Sequence, residues 1–462
     1  MLRIIILTGT IAYILFSDSG GLFMKVFDKL NMADVRQTWA QKDNPELSYY
    51  GGKAPAFTPA IQGQDNLMDP FSGISHYGAL HNVLLNYEYT GWMDECLSIS
   101  KTGYIGDWSW LCKVRIKGPD VIKCMEQSTI NGFKKFPVGR GRHIVSVLPN
   151  GKMIGDGIAF REAENQILCT GGTMVKEGLM IHPEGCDVTI EDVTAELFNY
   201  HVQGPVSKAV LEKVTGEDIG DLAFITFRDV TIAGRTVRLY RGGMSGEIGY
   251  ELFGNSEDGS VIWNAVYEAG KEFGLRQLGL RSLMLNHLQA YFPTIWVDFI
   301  PAIVPDAEAL HRSPVDFGWG GLIDKSRDFP GKDVLMAEVE NPKVRCVTIE
   351  FNKDDCMSIF HSLITPDEEA FEPWALPVST SDYSGASVLC IPAFSMDQKM
   401  LGLVTNRGYS AQYKTFLGLA HLPIEYCEEG TQLMVLYGSE GKRQTMLRAT
   451  VTRTPYKQDN RK

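Results

Sequence analysis

The stretch that decides the fold is RGGMSGEIGYE, residues 241–251. Its four glycines allow the backbone to turn sharply and to come close to a flat ligand. The chain then enters a strand that carries Glu251, and we expect the carboxylate of Glu251 to point at such a ligand. The ordinary alternative for this pattern is a glycine-rich hairpin with a glutamate on the surface.

Strands and helices surround this stretch in a repeated order. Residues 111–127 indicate a strand, a Gly-Pro-Asp turn and a helix, and residues 143–172 indicate three strands joined by tight turns. A similar order of apolar and polar residues returns in residues 196–216 and 229–243. We therefore predict two related α+β units.

The later part of the chain changes character. We expect a helix over residues 259–273 with Gly274 as its C-terminal stop, and a loop, a strand pair and the start of a helix over residues 313–338. From Val344 onward, short alternating strands predict a small β-barrel or sandwich. The last residues, 457–462, are expected to be a frayed tail.

Composition excludes several classes of protein. The 462 residues carry a formal net charge of -12, which argues against a nucleic-acid partner, because such proteins concentrate basic residues on one face. The nine cysteines are scattered without a CxxC pair, so a reducing, cytoplasmic location fits best and no zinc knuckle is predicted. Phosphate-binding, dinucleotide-binding and metalloprotease motifs do not occur, and no metal site is predicted.

The N-terminus contains an apolar run, residues 4–16, that is too short to span a bilayer comfortably. We treat residues 1–23 as a doubtful extension, with translation from Met24 or Met32 as the first interpretation and a signal segment, an anchor or a structured extension as alternatives. No membrane partner is expected. Residues 24–95 have little periodicity and indicate an irregular, partly helical lead-in.

The motifs together resemble a known family. RGGMSGEIGYE resembles the signature of aminomethyltransferases, the T-protein of glycine cleavage, and further matches follow in family order over residues 85–456. These matches are VQGP at 202–205, LGLRSLMLNHL at 278–288, SPVDFGWG at 313–320, RDFPGKDVL at 327–335 and GLVTNRGYS at 402–410. The resemblance implies an α+β, three-lobed folate-binding fold with two related lobes in residues 24–340 and a C-terminal β-barrel domain in residues 341–462.

Departures from the T-protein pattern point to a subgroup. Met244 replaces the signature tyrosine, Gly155-Asp156-Gly157 replaces Asp-Asp-Leu, and Trp110 replaces a histidine. The sequence is more similar in these places to the tetrahydrofolate-dependent O-demethylases of vanillate, syringate and 3-O-methylgallate. The resemblance thus implies methyl transfer rather than aminomethyl transfer.

The resemblance also assigns roles in binding folate. Glu251 stands where the family holds the two-donor edge of the pterin, which a carboxylate accepts in bidentate fashion. Arg281 matches an arginine suited to the carboxylates of the folate tail, with an ion pair on a helix surface as the alternative. Met244 is expected to contact the pterin, with simple core packing as the alternative.

Asp156 is the expected catalytic residue. It matches one of the aspartates near N5 of folate, where it would order the attacking amine or manage its proton, and a turn aspartate bonded to its own backbone is the alternative. Leu283 occupies the place where the demethylases are expected to carry a tyrosine that handles the substrate phenol. The candidates to replace it in an aromatic pocket, each with core packing as its alternative, are Trp108, Trp110, His287 and Tyr291.

These expectations lead to one function and its alternatives. The chain is expected to be an enzyme that moves a methyl group from a small donor, a methoxylated aromatic acid, to N5 of tetrahydrofolate. Dimethylsulfoniopropionate is another possible donor. The alternatives are an aminomethyltransferase of the glycine-cleavage or dimethylglycine type, which requires a lipoyl carrier protein in the first case, and a folate-binding regulator without transferase activity.

Overall fold

The computed structural model describes residues 3–7, 10–16, 22–25, 56–60, 77–80, 83–172, 175–181, 183–305, 307–374, 376–378 and 390–461. Contacts divide the chain into two compact units, Met1–Ala56 and Phe57–Lys462. The first unit contains an antiparallel sheet of three strands. Most of the predicted lead-in lies outside the described residues.

Strands and helices follow one another along the described parts of the chain. The strands are β1 Arg3–Leu7, β2 Thr10–Phe16, β3 Leu22–Lys25, β4 Ala56–Phe57, β5 Tyr77–Leu80, β6 Val83–Asn86, β7 Tyr104–Asp107, β8 Cys112–Lys117, β9 Gly141–Val147, β10 Met153–Ala163, β11 Gln166–Gly171, β12 Thr189–Asp192, β13 Leu197–Gln203, β14 Phe227–Ile232, β15 Arg235–Arg241, β16 Gly249–Asn255, β17 Arg276–Leu278, β18 Val344–Phe351, β19 Ile391–Phe394, β20 Met400–Ser410, β21 Thr415–Pro423, β22 Gln432–Tyr437 and β23 Thr445–Thr452. The α-helices are α1 Trp92–Lys101, α2 Val121–Ser128, α3 Val175–Met180, α4 Ser207–Thr215, α5 Gly259–Gly270, α6 Leu280–Leu283, α7 Leu285–Ala290, α8 Lys332–Glu340 and α9 Lys353–Ser362.

The first lobe is a five-stranded sheet in the order β12-β8-β11-β10-β9. Val114 and Ile116 alternate along β8 and are buried in the core of this lobe, as the apolar pattern predicts. The three strands expected in residues 143–172 are confirmed. Asp156 lies inside β10 and not in a turn.

The second lobe is a six-stranded sheet in the order β14-β15-β16-β13-β7-β17. Glu251 on β16 lies between two partners, His201 on β13 and Tyr240 on β15. Helix α5 and a 3-10 turn after it end at Gly274, whose φ of 74° needs a residue without a Cβ. The expected helix over residues 259–273 is therefore confirmed.

The C-terminal region forms a closed barrel in the order β18-β21-β20-β19-β22-β23. Apolar side chains of these strands fill a core of their own, so the predicted barrel is confirmed. A further apolar cluster joins the two lobes to the barrel. It contains Trp108 from the second lobe, Val145 from the first lobe and Leu417 from the barrel.

Two expectations for the later part of the chain are wrong. Residues 313–331 form turns and a 3-10 helix, Trp319–Leu322, instead of a strand pair, although helix α8 does follow. The end of the chain is not frayed over its described length, because Lys457 is buried and hydrogen-bonded. Both segments pack against the central part of the molecule.

Candidate functional site

The glycine-rich loop, residues 242–248, leads directly into β16 and thereby places Glu251 in the middle of the second sheet. The side chain is only 8% exposed. Burial raises the pKa of Glu251 to about 8, because a carboxylate loses the solvation it has in water. At neutral pH this carboxyl therefore holds a proton until donors arrive that favour its charged form.

His201 lies opposite Glu251 in the ladder and shares its buried environment. Its Nε2 atom is 3.5 Å from Glu251 Oε2 and has no hydrogen-bond partner within the described part of the chain. Its Nδ1 atom lies 3.2 Å from Nε2 of Gln203. Burial, followed by the influence of His287, holds the pKa of His201 well below its ordinary value, so the ring is neutral.

Trp108 packs against the ring of His201. The two rings stack at a centroid distance of 4.2 Å and an angle of 8°. The ring of Tyr104 also lies near the indole, tilted by 31° at a centroid distance of 6.2 Å. The indole Nε1 of Trp108 is buried without a hydrogen-bond partner among the described residues. A buried donor of this kind is one that a bound molecule can satisfy.

Met244 and His287 meet at the glycine-rich loop. The Sδ atom of Met244 lies 2.6 Å from His287 Nε2, and His287 Nδ1 lies 2.7 Å from the hydroxyl of Thr294. Burial lowers the pKa of His287 to about 3, so this histidine is also uncharged. Met244 packs against the central apolar cluster that includes Trp108.

Asp156 is paired with a histidine on the neighbouring strand. Its Oδ2 atom is 2.9 Å from Nε2 of His143. The ring of His143 meets Trp319 edge-on at 5.0 Å, and Trp319 packs against the central apolar cluster. Asp156 thus interacts with another strand, and the alternative of a turn aspartate does not describe it.

Arg281 lies at the start of α6 and is already engaged. Its guanidinium forms an ion pair with Glu88, donates from Nε to the carbonyl of Leu376 at 3.2 Å, and lies over the ring of Trp92. No contact in the described residues joins Arg281 to Glu251 or Asp156. The structure therefore places Arg281 apart from the cluster around Glu251.

Of the other residues considered for the aromatic pocket, Tyr291 and Trp110 lie beside the central apolar cluster. The hydroxyl of Tyr291 donates to the carbonyl of Cys346 at 2.9 Å, so it faces the barrel backbone. Trp110 and Tyr291 are partly buried against the same central cluster as Trp108. Leu283 is fully buried in that cluster, which places an apolar residue at the position expected to hold a tyrosine in the demethylases.

Sequence reasoning missed His201 and Gln203. Both residues precede or belong to the VQGP motif, and their spacing of two puts them on one face of β13. The alternation of residues 201 and 203 could have indicated that their side chains share a face. It links them to Glu251 only when the pairing of β13 with β16 is known. Within the described residues, no group of three or more His, Cys, Asp or Glu side chains is arranged to hold a metal ion.

The GCVT N-terminal domain matches residues 79–313, just over half of the chain. This chain belongs to the GCVT family. Sesamin methylene transferase of Sinomonas sp. (strain No.22) is 31% identical over 409 residues, which is 80% of this chain and 89% of that protein. The family is the folate-binding T-protein superfamily, and it includes O-demethylases.

Two further proteins are similar to this chain. Syringate O-demethylase of Sphingobium sp. (strain NBRC 103272 / SYK-6) is 27% identical over 419 residues, again 80% of this chain and 89% of that one. The crystal structure of the glycine cleavage system aminomethyltransferase T from Bartonella henselae superposes with a TM-score of 0.68 at 15% identity, over 88% of this chain and 99% of that chain. This superposition confirms the T-protein fold.

No helix in the described ranges has the length and the apolar content needed to cross a lipid bilayer.

Proposed function

We propose that this GCVT protein transfers a methyl group from a methoxylated aromatic acid to N5 of tetrahydrofolate, with 5-methyltetrahydrofolate as the product. The observation that carries the proposal is the buried Glu251, whose pKa of about 8 reflects a carboxyl without compensating donors. The likeness to a syringate O-demethylase over 80% of the chain supports a methoxylated aromatic donor. We also propose a cytoplasmic location.

The residues around Glu251 fit tetrahydrofolate. The pterin edge presents two donors side by side, and a carboxylate satisfies both in bidentate fashion. Met244, on the glycine-rich loop, supplies a soft apolar contact to the pterin, and the neutral rings of His201 and His287 add no competing positive charge. Glu251 therefore binds and orients the pterin, and it takes no part in breaking bonds.

The reaction joins the methyl carbon to N5, breaks the carbon–oxygen bond with its electron pair leaving on oxygen, and releases the N5 proton. Asp156 is the residue we assign to this proton, because its carboxylate is held in place by His143 and lies in a strand rather than in a turn. Trp108 offers its unpartnered indole N–H as a donor to a substrate oxygen. Much of the catalysis is positioning, since direct transfer needs three atoms in line.

Arg281 is assigned to the carboxylates of the folate tail. Its ion pair with Glu88 means that the tail has to share the guanidinium or displace the glutamate. The side chains of Arg281 and Glu88 are each about one quarter exposed. Solvent therefore weakens their ion pair and lowers the free energy needed to replace Glu88 with a carboxylate of the folate tail.

A second candidate function is transfer of a methylene group. The observation that favours it is the 31% identity to a sesamin methylene transferase. The residues assigned to tetrahydrofolate are the same in this case, but the product is 5,10-methylenetetrahydrofolate.

The test is an anaerobic incubation of the purified protein with tetrahydrofolate and separate donors, followed by mass spectrometry of the folates. The donors are vanillate, syringate, 3-O-methylgallate, dimethylsulfoniopropionate and sesamin. We expect 5-methyltetrahydrofolate from a methoxylated acid, with the carbon label retained when the methoxy group is ¹³C-labelled. 5,10-Methylenetetrahydrofolate would instead support the second candidate, and no folate product from any donor would overturn both.

A further inference from the structure

The tail of the chain, residues 457–461, lies along the glycine-rich loop, residues 242–248. The backbone N–H of Asn460 donates to the carbonyl of Gly246 at 2.8 Å, and its side-chain amide is 3.3 Å from Glu247 Oε2. The tail follows the last strand of the barrel, whereas the loop belongs to the second lobe. The tail therefore connects two parts of the molecule at the candidate site.

Lys457 is the centre of this contact. Its Nζ atom donates to the carbonyl of Ser245 at 2.9 Å and to Glu247 Oε1 at 2.9 Å, and the side chain is only 2% exposed. Burial lowers the pKa of Lys457, while the carboxylate of Glu247 opposes that change. A buried ammonium in such a pair is costly to leave without its partners, so the pair fixes the positions of both chains.

The tail supports the glycine-rich loop mainly through the backbone of the loop. Its glycines carry no side chains that could anchor it, and Gly246 has a φ of 71°, which disfavours other residues. A Cβ atom at Gly246 would lie 3.3 Å from Cδ of Lys457, so the lysine side chain packs closely on this glycine. The tail meets the carbonyls of Ser245 and Gly246, and Arg461 Nη1 lies 3.5 Å from the carbonyl of Gly243.

The same loop holds the groups assigned to folate. Ser245 N donates to the side chain of Gln203 at 3.2 Å, and Gln203 contacts His201. Met244 precedes Ser245, and the strand that carries Glu251 begins directly after the loop. A shift of the loop therefore moves the pterin contacts, although the tail itself touches none of them.

We propose that Lys457 is a positioning residue that holds the glycine-rich loop in the conformation required for folate binding, an inference that rests on the proposed function. Lys457 acts through the carbonyl of Ser245 and the carboxylate of Glu247, and not through contact with the ligand.

The test compares Lys457→Met and Lys457→Arg with a control, Lys442→Met, which changes an exposed lysine of the barrel. Hydrogen exchange of residues 242–248 is measured by mass spectrometry without folate, and the Kd for tetrahydrofolate is measured by anaerobic calorimetry. For Lys457→Met we expect the loop to exchange about tenfold faster and the Kd to rise about tenfold, because the loop is no longer held in one place. Lys457→Arg should restore most of both, and Lys442→Met should change neither.

Two results would overturn the inference. One is unchanged exchange in the loop of Lys457→Met, and the other is faster exchange with an unchanged Kd. A wild-type protein that does not bind tetrahydrofolate would overturn the proposed function instead, and the exchange data would then decide alone whether Lys457 holds the loop. If Lys457→Met does not fold, Glu247→Gln, which removes the carboxylate partner of Lys457, takes its place with the same expected direction.

Discussion

The position of Glu251 in the sheet determines the properties of its carboxyl. Glu251 lies opposite His201 and Tyr240, both of which are buried, so its carboxyl is removed from water on both sides. Burial is therefore the cause of its raised pKa, and no positive charge offsets it, since His201 and His287 are neutral.

The raised pKa of Glu251 predicts a pH-dependent affinity. Donors favour the carboxylate, so below a pKa of about 8 binding has to release a proton, and affinity rises about tenfold per pH unit up to that value and then levels off. Calorimetry with tetrahydrofolate between pH 6 and pH 9 measures this. His201 and His287 do not titrate in this window because their pKa values are lowered. A flat profile in the wild-type protein would contradict the assignment.

Asp156 is expected to affect turnover rather than binding. Asp156→Asn keeps the shape of the side chain but cannot take a proton, so kcat should fall by about 100-fold while the Kd for tetrahydrofolate stays within about twofold. The matched control is Asp229→Asn, on the exposed edge strand β14. Steady-state kinetics of folate product formation measures the difference, and an unchanged kcat in Asp156→Asn would remove Asp156 from the mechanism.

Helices and strands could be predicted from the sequence where the local spacing of apolar residues determines the element. The alternation in residues 143–172 and the helical spacing in residues 259–273 both correspond to elements of the structure. Val315 and Phe317 also alternate, but both are buried while successive turns, such as Gly318 N to Val315 O, satisfy the backbone. The alternation of buried residues at positions 315 and 317 therefore resembles that of a strand, although the segment forms turns. His201 escaped prediction for a related reason, since its role depends on pairing between β13 and β16.

Helix α6 offers a test of Arg281. If Arg281 binds the folate tail, Arg281→Met should raise the Kd for tetrahydrofolate about tenfold and leave the Kd for 6-methyltetrahydropterin, which lacks the tail, unchanged. If Arg281 serves only its ion pair with Glu88, then Arg281→Met and Glu88→Gln should lower the Tm alike and alter both Kd values in the same proportion. Calorimetry with the two ligands separates these results.

At the scale of the whole molecule, buried side chains connect the two lobes with the barrel. The resemblance predicted the T-protein fold and the C-terminal barrel correctly, but it did not predict the contacts that join the lobes to the barrel. The tail is an example, because polar composition suggested a frayed end, whereas Lys457 is buried through a partner 210 positions earlier, Glu247. Contacts at such separation leave no local pattern in the sequence.

Asp298 also contacts the barrel, and we expect its substitution to lower stability. Its carboxyl accepts from Thr294 N and from the hydroxyl of Thr405 on the barrel strand β20, both at 2.8 Å. Asp298→Ala leaves these buried donors unsatisfied and should lower the free energy of unfolding by about 2 kcal/mol. Urea unfolding measures this, with Glu440→Ala, an exposed change on the barrel, as the control.

The Thr405→Val variant completes the comparison. Because Thr405 shares its bond with Asp298, the double variant should lose about 1 kcal/mol less than the sum of the single variants. Strict additivity would contradict a direct coupling of lobe and barrel through this pair.

The measurement that tests the central claim most directly is anaerobic calorimetry of tetrahydrofolate with the wild-type protein, Glu251→Gln and the control Glu257→Gln, which lies in an exposed turn just after β16. The amide of glutamine accepts only one of the two pterin donors. We predict wild-type binding, a Kd raised between about 10-fold and about 100-fold by Glu251→Gln, and no change with Glu257→Gln. Equal affinity in all three proteins would contradict the claim that Glu251 holds the pterin, and absence of binding in the wild type would contradict the folate site altogether.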